Sequence, residues 1–145
     1  MREPKLYIMM RNDLVDLTPG KAMAQAAHAA NKFTYNLENK LIIPNLKKQF
    51  NAWQGKTPQR GLDHTHTGFG TTIILSATKE QLESVIPVAI SEGYECDFIF
   101  DPSYPIRSAA GETFHVNAMT CGYIFAGPYT ENYDTEILLR EMKLY

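Results

Sequence analysis

Lys21, Gln25, His28 and Lys32 are the residues whose types and spacing best suit chemistry, because they set two cations, an amide and an imidazole three or four residues apart. On a helix running from Gly20 to Lys32, at about 100° per residue, they fall at roughly 0°, 40°, 340° and 20°, in one narrow polar row. Met23, Ala26, Ala27, Ala30 and Phe33 fall at roughly 120° to 240°, so the opposite side is apolar and should face a sheet. An imidazole can move a proton, a cation can hold an oxyanion or a phosphate, and an amide can orient either. A solvated helix face shows the same spacing, so the row gains meaning only from where the fold puts it.

The elements that must position it can be read along the chain. Lys5 to Arg11, with five apolar residues in succession, reads as a strand buried on both faces. Thr18-Pro19-Gly20 opens the helix, with Thr18 as cap and Pro19 in the first turn. A second helix covers about Pro44 to Gln54, and Gly55 to Gly70 reads as a long loop. Thr71 to Ala77 is a strand, followed by a helix that Thr78 and Gln81 begin with a capping box and that ends near Glu92. Glu95 to Asp101 and Ala118 to Ala126 are further strands, and Asp134 to Met142 is a closing helix. Strands alternating with helices predict a single α/β domain over residues 1–145, a mixed, mostly parallel sheet of about four strands flanked by helices.

In such sheets ligands sit beyond the carboxyl ends of the strands. Three segments should meet there: Arg11-Asn12-Asp13, Gly20-Lys21 and Asp101-Pro102-Ser103-Tyr104-Pro105. Gly20-Lys21 offers helix-terminal N–H groups and a cation, a fair phosphate site, although the glycine-rich lead-in of a P-loop is absent.

Composition narrows the function classes. The 145 residues are 44% hydrophobic and 21% charged, as in an ordinary globular domain. No apolar run has the length of a membrane helix, and Met1 to Arg11 does not read as a signal peptide, so the expected location is the cytoplasm with no membrane partner. Cys96 and Cys121 read as buried thiols, and two such cysteines cannot form a zinc knuckle. The net charge of −2 conceals an imbalance. Residues 1–60 hold ten Lys or Arg against four acids, and residues 61–145 hold four against twelve. The basic half could attract a polyanion.

The order Tyr7-Ile8-Met9-Met10-Arg11-Asn12-Asp13-Leu14, then Gly20-Lys21-x-x-Ala24-Gln25-x-x-His28-Ala29, resembles the amino-terminal signature of the class II peptidyl-tRNA hydrolases, the archaeal and eukaryotic type. Trp53-x-Gly55, the strand from Thr71, an aspartate ending a strand at Asp101, Gly127-Pro128 and Lys143-Leu144-Tyr145 follow in the same order. The resemblance implies hydrolysis of the ester between a peptide and its tRNA, without a metal or organic cofactor. It implies a catalytic Lys21, His28 and Asp101, with Gln25 touching substrate or water. Arg11, Asn12, Asp13, Gly20, Lys32, Ser103 and Tyr104 complete the expected substrate-binding set. A non-catalytic tRNA-binding or protein-binding domain, or a hydrolase of another acyl or amide substrate, fits the same fold, and a homodimer is left open as its assembly.

Two stretches depart from the family. After its aspartate the family carries Ala-Gly-Arg-Thr-Gln, whereas this chain has Pro102-Ser103-Tyr104-Pro105-Ile106, with proline in the threonine position. The loop before the helix lacks family lysines, which leaves RNA contact to Lys32, Lys47, Lys48 and Arg60. Residues 55–70 and 107–119 are also longer than the family norm. Asp63-His64-Thr65-His66 could offer two imidazoles to a metal but shows no third ligand. Tyr104, Tyr123, Tyr129, Tyr133 and Tyr145 suit packing better than base stacking, and His115 reads as a surface residue.

Overall fold

The computed structural model describes residues 4–39, 44–54, 56–59, 62–66, 70–127 and 133–145, with the backbone alone at 44–45, 56–59 and 62–66. Its main sheet has five strands: β1 (Lys5–Arg11), β4 (Thr71–Ala77), β5 (Glu95–Arg107), β6 (Thr113–Ala126) and β7 (Lys143–Leu144), in the order β5-β6-β1-β4-β7. A separate antiparallel pair, β2 (Lys56–Gln59) and β3 (Leu62–His66), lies in the stretch expected to be a loop. The helices are α1 (Pro19–Glu38), α2 (Pro44–Trp53), α3 (Lys79–Ser91) and α4 (Asp134–Arg140).

The α/β class holds, but the mostly parallel pairing does not. β1 pairs with β4 in parallel, while β1–β6, β5–β6 and β4–β7 are antiparallel. The reason is the short connection from Arg107 to Thr113, which makes β5 and β6 a hairpin and wedges β6 between β5 and β1. β1, β4 and β5 still point the same way, so the end of β1 and the middle of β5 approach the same end of the sheet. β5 also runs on through Asp101 rather than stopping there, and residues 107–119 form its turn and the first half of β6.

The sheet is covered on both faces, as the apolar run in β1 requires. Leu6, Ile8 and Met10 share one core with Phe33 and Leu37 of α1 and Phe50 of α2. Met9 shares the other with Leu82, Val85 and Ile86 of α3 and Leu139 of α4. Phe33 centres an aromatic cluster, its ring 5.0 to 6.0 Å from those of Phe50, Trp53, Tyr123 and Phe125. α3 carries the expected capping box between Thr78 and Gln81. Gly122 lets it sit close, since a Cβ there would lie 3.1 Å from Leu82 Cδ2 and from the Asp97 carbonyl.

α1 begins as expected, with Thr18 Oγ1 accepting from the Lys21 N–H and Pro19 in the first turn. Its buried side differs from the expected one. Ala22, Gln25, Ala29, Phe33 and Leu37 are buried, whereas Met23 is 71% exposed and Ala27 is exposed. The helix is thus rolled by roughly a quarter turn relative to its apolar stripe. The aromatic cluster around Phe33 outweighs one methionine, and the roll carries the polar row to the seam between helix and sheet.

Candidate functional site

Gln25 is only 3% exposed, so both ends of its amide need partners. Nε2 donates to Asp101 Oδ2 at 2.7 Å, and Oε1 accepts from Thr120 Oγ1 at 2.7 Å. Thr120 reaches it because of an irregularity in β6. Ile99 pairs with Cys121 but Phe100 with Met119, which leaves Thr120 as an extra residue. Such a bulge re-aims a side chain. Thr120 and Cys121 consequently both turn to α1, where Cys121 Sγ lies 3.7 Å from the Gln25 carbonyl oxygen. Burial pushes that thiol up to about 12, which leaves it unreactive.

A second irregularity follows Asp101, where Pro102 and Ser103 face one residue of β6. Proline suits it because it has no N–H to give the ladder. The Ser103 N–H instead donates to Asp101 Oδ1 at 2.9 Å. Partial burial pushes the Asp101 carboxyl up, but the Gln25 and Ser103 donors and the charges of His28 and His115 outweigh it, so it sits below its ordinary range. His28 is exposed one turn beyond Gln25 and makes no hydrogen bond among the described residues.

Lys21 closes the row on the other side. Nζ donates to Asp16 Oδ2 at 2.9 Å and to the Pro105 carbonyl at 2.9 Å, and lies 5.5 Å from the Tyr104 ring centroid. Asp16 holds a backbone φ of 60°, a left-handed conformation that aspartate tolerates better than most residues. Its carboxylate also accepts from the Arg107 N–H, and that bond followed by the Lys21 contact holds its pKa down. The ammonium has three N–H groups, two of them engaged. What results is a row of ionised carboxylate, anchored amide and held ammonium along one seam, a combination able to orient water and to stabilise an oxyanion.

A family model for "Peptidyl-tRNA hydrolase PTH2" matches residues 4–145. The chain belongs to the PTH2 peptidyl-tRNA hydrolase family. No curated protein matches it. Among solved structures, a protein of unknown function from Agrobacterium tumefaciens strain C58 aligns over 100% of this chain and 99% of its own, with 12% identity and a TM-score of 0.48.

The remaining expected site residues of this PTH2 member spread around the row. Arg11 donates to Asp13 Oδ1 and to the Met119 carbonyl, and Asp13 also accepts from the Lys79 N–H at the start of α3. Asn12 donates to Ser76 Oγ, and Gly20 is exposed with open space beside it. Arg11, Asn12 and Asp13 thus tie the end of β1 to β6, β4 and α3, and none of their hydrogen bonds goes to the Asp101–Gln25 pair. Lys32 lies further along α1, bonded to Asp97 Oδ2 at 3.1 Å and to the Phe98 carbonyl at 3.0 Å.

Neither candidate for the family's missing hydroxyl supplies one to the pair. Ser103 contributes its N–H, and Tyr104 is buried with its hydroxyl donating to the Val15 carbonyl. Pro105, in the threonine position, contributes a carbonyl to Lys21. The hydroxyl that does reach the pair belongs to Thr120, which sequence reasoning missed because nothing local marks a bulge. Asp16 lies outside the expected set as well, although an acid five residues before Lys21 is a local signal. Arg60 and Tyr129 lie outside the described residues, as do the side chains of Asp63, His64 and His66. Among the described residues no group of three or more His, Cys, Asp or Glu could hold a metal, and no helix is long and apolar enough to cross a membrane.

Proposed function

We propose that this chain hydrolyses the ester bond of peptidyl-tRNA, releasing peptide and tRNA, as one domain acting in the cytoplasm without a cofactor. The observation that carries the reading is the Lys21–Gln25–Asp101 row along one seam of a chain matched over residues 4–145 by the peptidyl-tRNA hydrolase family model. Asp101, kept ionised by its donors, orients a water and takes its proton as the water attacks the ester carbonyl. The third N–H of Lys21 stabilises the oxyanion that develops. The Gln25 amide, fixed by Thr120, holds the carboxylate in register with α1. His28, exposed beside Asp101, passes a proton to the departing ribose oxygen.

One observation favours a second reading, a tRNA-binding domain without turnover. Lys21 is already paired with Asp16, which lowers the positive charge it offers to an oxyanion. Incubation with an N-blocked aminoacyl-tRNA separates the two. Release of the acyl group that disappears in Lys21→Ala and Asp101→Asn supports the hydrolase. Salt-sensitive tRNA binding without release supports the binding domain, and absence of both points to another acyl or amide substrate.

A further inference from the structure

On the sheet face opposite the Lys21 row, a cavity of about 530 Å³ opens between the start of α3 and the middle of β5 and β6. Its volume is within the range of small-ligand sites, about 300–1,000 Å³. Phe98 and Phe100 line it, their ring centroids 6.0 Å apart and tilted by 53°. Phe100 is 57% exposed, so it offers an open aromatic face where the fold gains little from one. Arg11 and Lys79 also line the cavity. Arg11 is held there by its bonds to Asp13 and the Met119 carbonyl, and Asn117 adds an exposed amide. Glu83 is the one acid of the lining, and its contact with Lys79 is long at 3.7 Å.

We infer that this cavity stacks unpaired nucleobases of a single-stranded RNA end on Phe98 and Phe100, with Arg11 and Lys79 holding the adjoining phosphates. Every base has a π-face, so aromatic rings flanked by cations form a general single-strand site. An apolar peptide side chain would fill the same cavity but would leave unused the donors that Arg11 keeps beyond its bonds to Asp13 and Met119 and that Lys79 keeps beyond its long contact with Glu83, donors that suit phosphate oxygens. The cavity also lies at the right place. β5 is the outer strand of the sheet, and Phe100 immediately precedes Asp101, whose side chain points to the α1 face. A strand of RNA lying on Phe100 needs only to round this edge to bring its terminal ester to Asp101. The inference thus deepens the peptidyl-tRNA reading and rests on it, by naming where the unpaired end of the tRNA lies.

The probe is tetra-adenylate, titrated calorimetrically at low salt. Binding should weaken about tenfold in Phe100→Ala and also in Phe100→Leu, which keeps apolar bulk but loses stacking. It should weaken in Lys79→Ala and tighten in Glu83→Gln. Phe100→Trp should bind with quenching of the new indole. Equal affinity in the leucine variant, or no binding by the unaltered protein, overturns the inference. So does conversion of a dimer to a monomer by Phe100→Ala, which would make this face a contact between copies. Turnover is scored separately. A Phe100→Ala variant with raised KM and unchanged kcat on N-blocked aminoacyl-tRNA supports the platform. Hydrolysis with unchanged KM and no oligonucleotide binding removes the platform and leaves the hydrolase. Oligonucleotide binding without hydrolysis removes the hydrolase instead.

Discussion

Asp101 carries the tightest coupling between sequence chemistry and the fold. Its carboxyl is held below the ordinary range by donors on both oxygens, so it stays ionised as the pH falls through the usual carboxylate range, and its contribution is lost only as the pH falls through the lowered value. Gln25→Leu removes one donor while keeping the burial that raises the pKa. The acid limb of the kcat profile should therefore move up toward the ordinary carboxylate value, as a pH–rate series would show. Thr120→Val tests the other end of the amide. Without the hydroxyl, Gln25 can turn its oxygen toward Asp101, and kcat should fall about tenfold with KM unchanged. The melting curve should register about 1–3 kcal/mol, because the buried Gln25 oxygen is left without its donor. Lys21, Gln25 and His28 are readable as candidates because charge and spacing mark them, and Asp101 because it follows an apolar strand and matches the aspartate of the resembled family. Thr120 is not, because an isolated threonine in an apolar strand carries no local signal of the bulge that aims it.

Elements were more readable where local chemistry fixes them. Thr18 and Pro19 begin α1, and Thr78 with Gln81 begins α3, because capping is satisfied within one turn of the chain. Thr78→Ala should cost about 1 kcal/mol of stability in a denaturant titration. β5 and β6 run longer than expected, since Pro102, Pro105 and the polar stretch from 107 to 117 look like loop until the two strands pair. β2 and β3 were missed for the same reason. The start of β4 depends on Gly70, which has a φ of 87° and whose added Cβ would lie 2.1 Å from the Trp53 ring. Gly70→Ala should destabilise the protein by at least about 2 kcal/mol, from backbone strain and displacement of Trp53, in a chemical denaturation experiment. Trp53 anchors α2 by donating to the Thr71 carbonyl, so its fluorescence should change with the loss.

For the molecule as a whole, the charge imbalance of the sequence is altered by folding. Lys21 pairs with Asp16, Arg11 with Asp13, and Lys32 with Asp97 from the acidic half. The cations nearest the row are thus partly neutralised, whereas Lys47 and Lys48 on α2 are exposed and engaged in no ion pair among the described residues. Lys47→Glu with Lys48→Glu should weaken tRNA binding more than Lys32→Ala and flatten its salt dependence, read by filter binding at several salt concentrations. What the sequence by itself determined is whatever short-range physics dictates: the caps, the buried central strand, the α/β class and the polar row on α1. Tertiary structure alone decided that β6 lies between β5 and β1, that α1 rolls Gln25 rather than Met23 into the seam, and that a bulge delivers Thr120 to it. Those outcomes depend on pairing and packing between residues far apart in the chain, 76 positions for Gln25 with Asp101 and 95 for Gln25 with Thr120, and no local pattern encodes such partners.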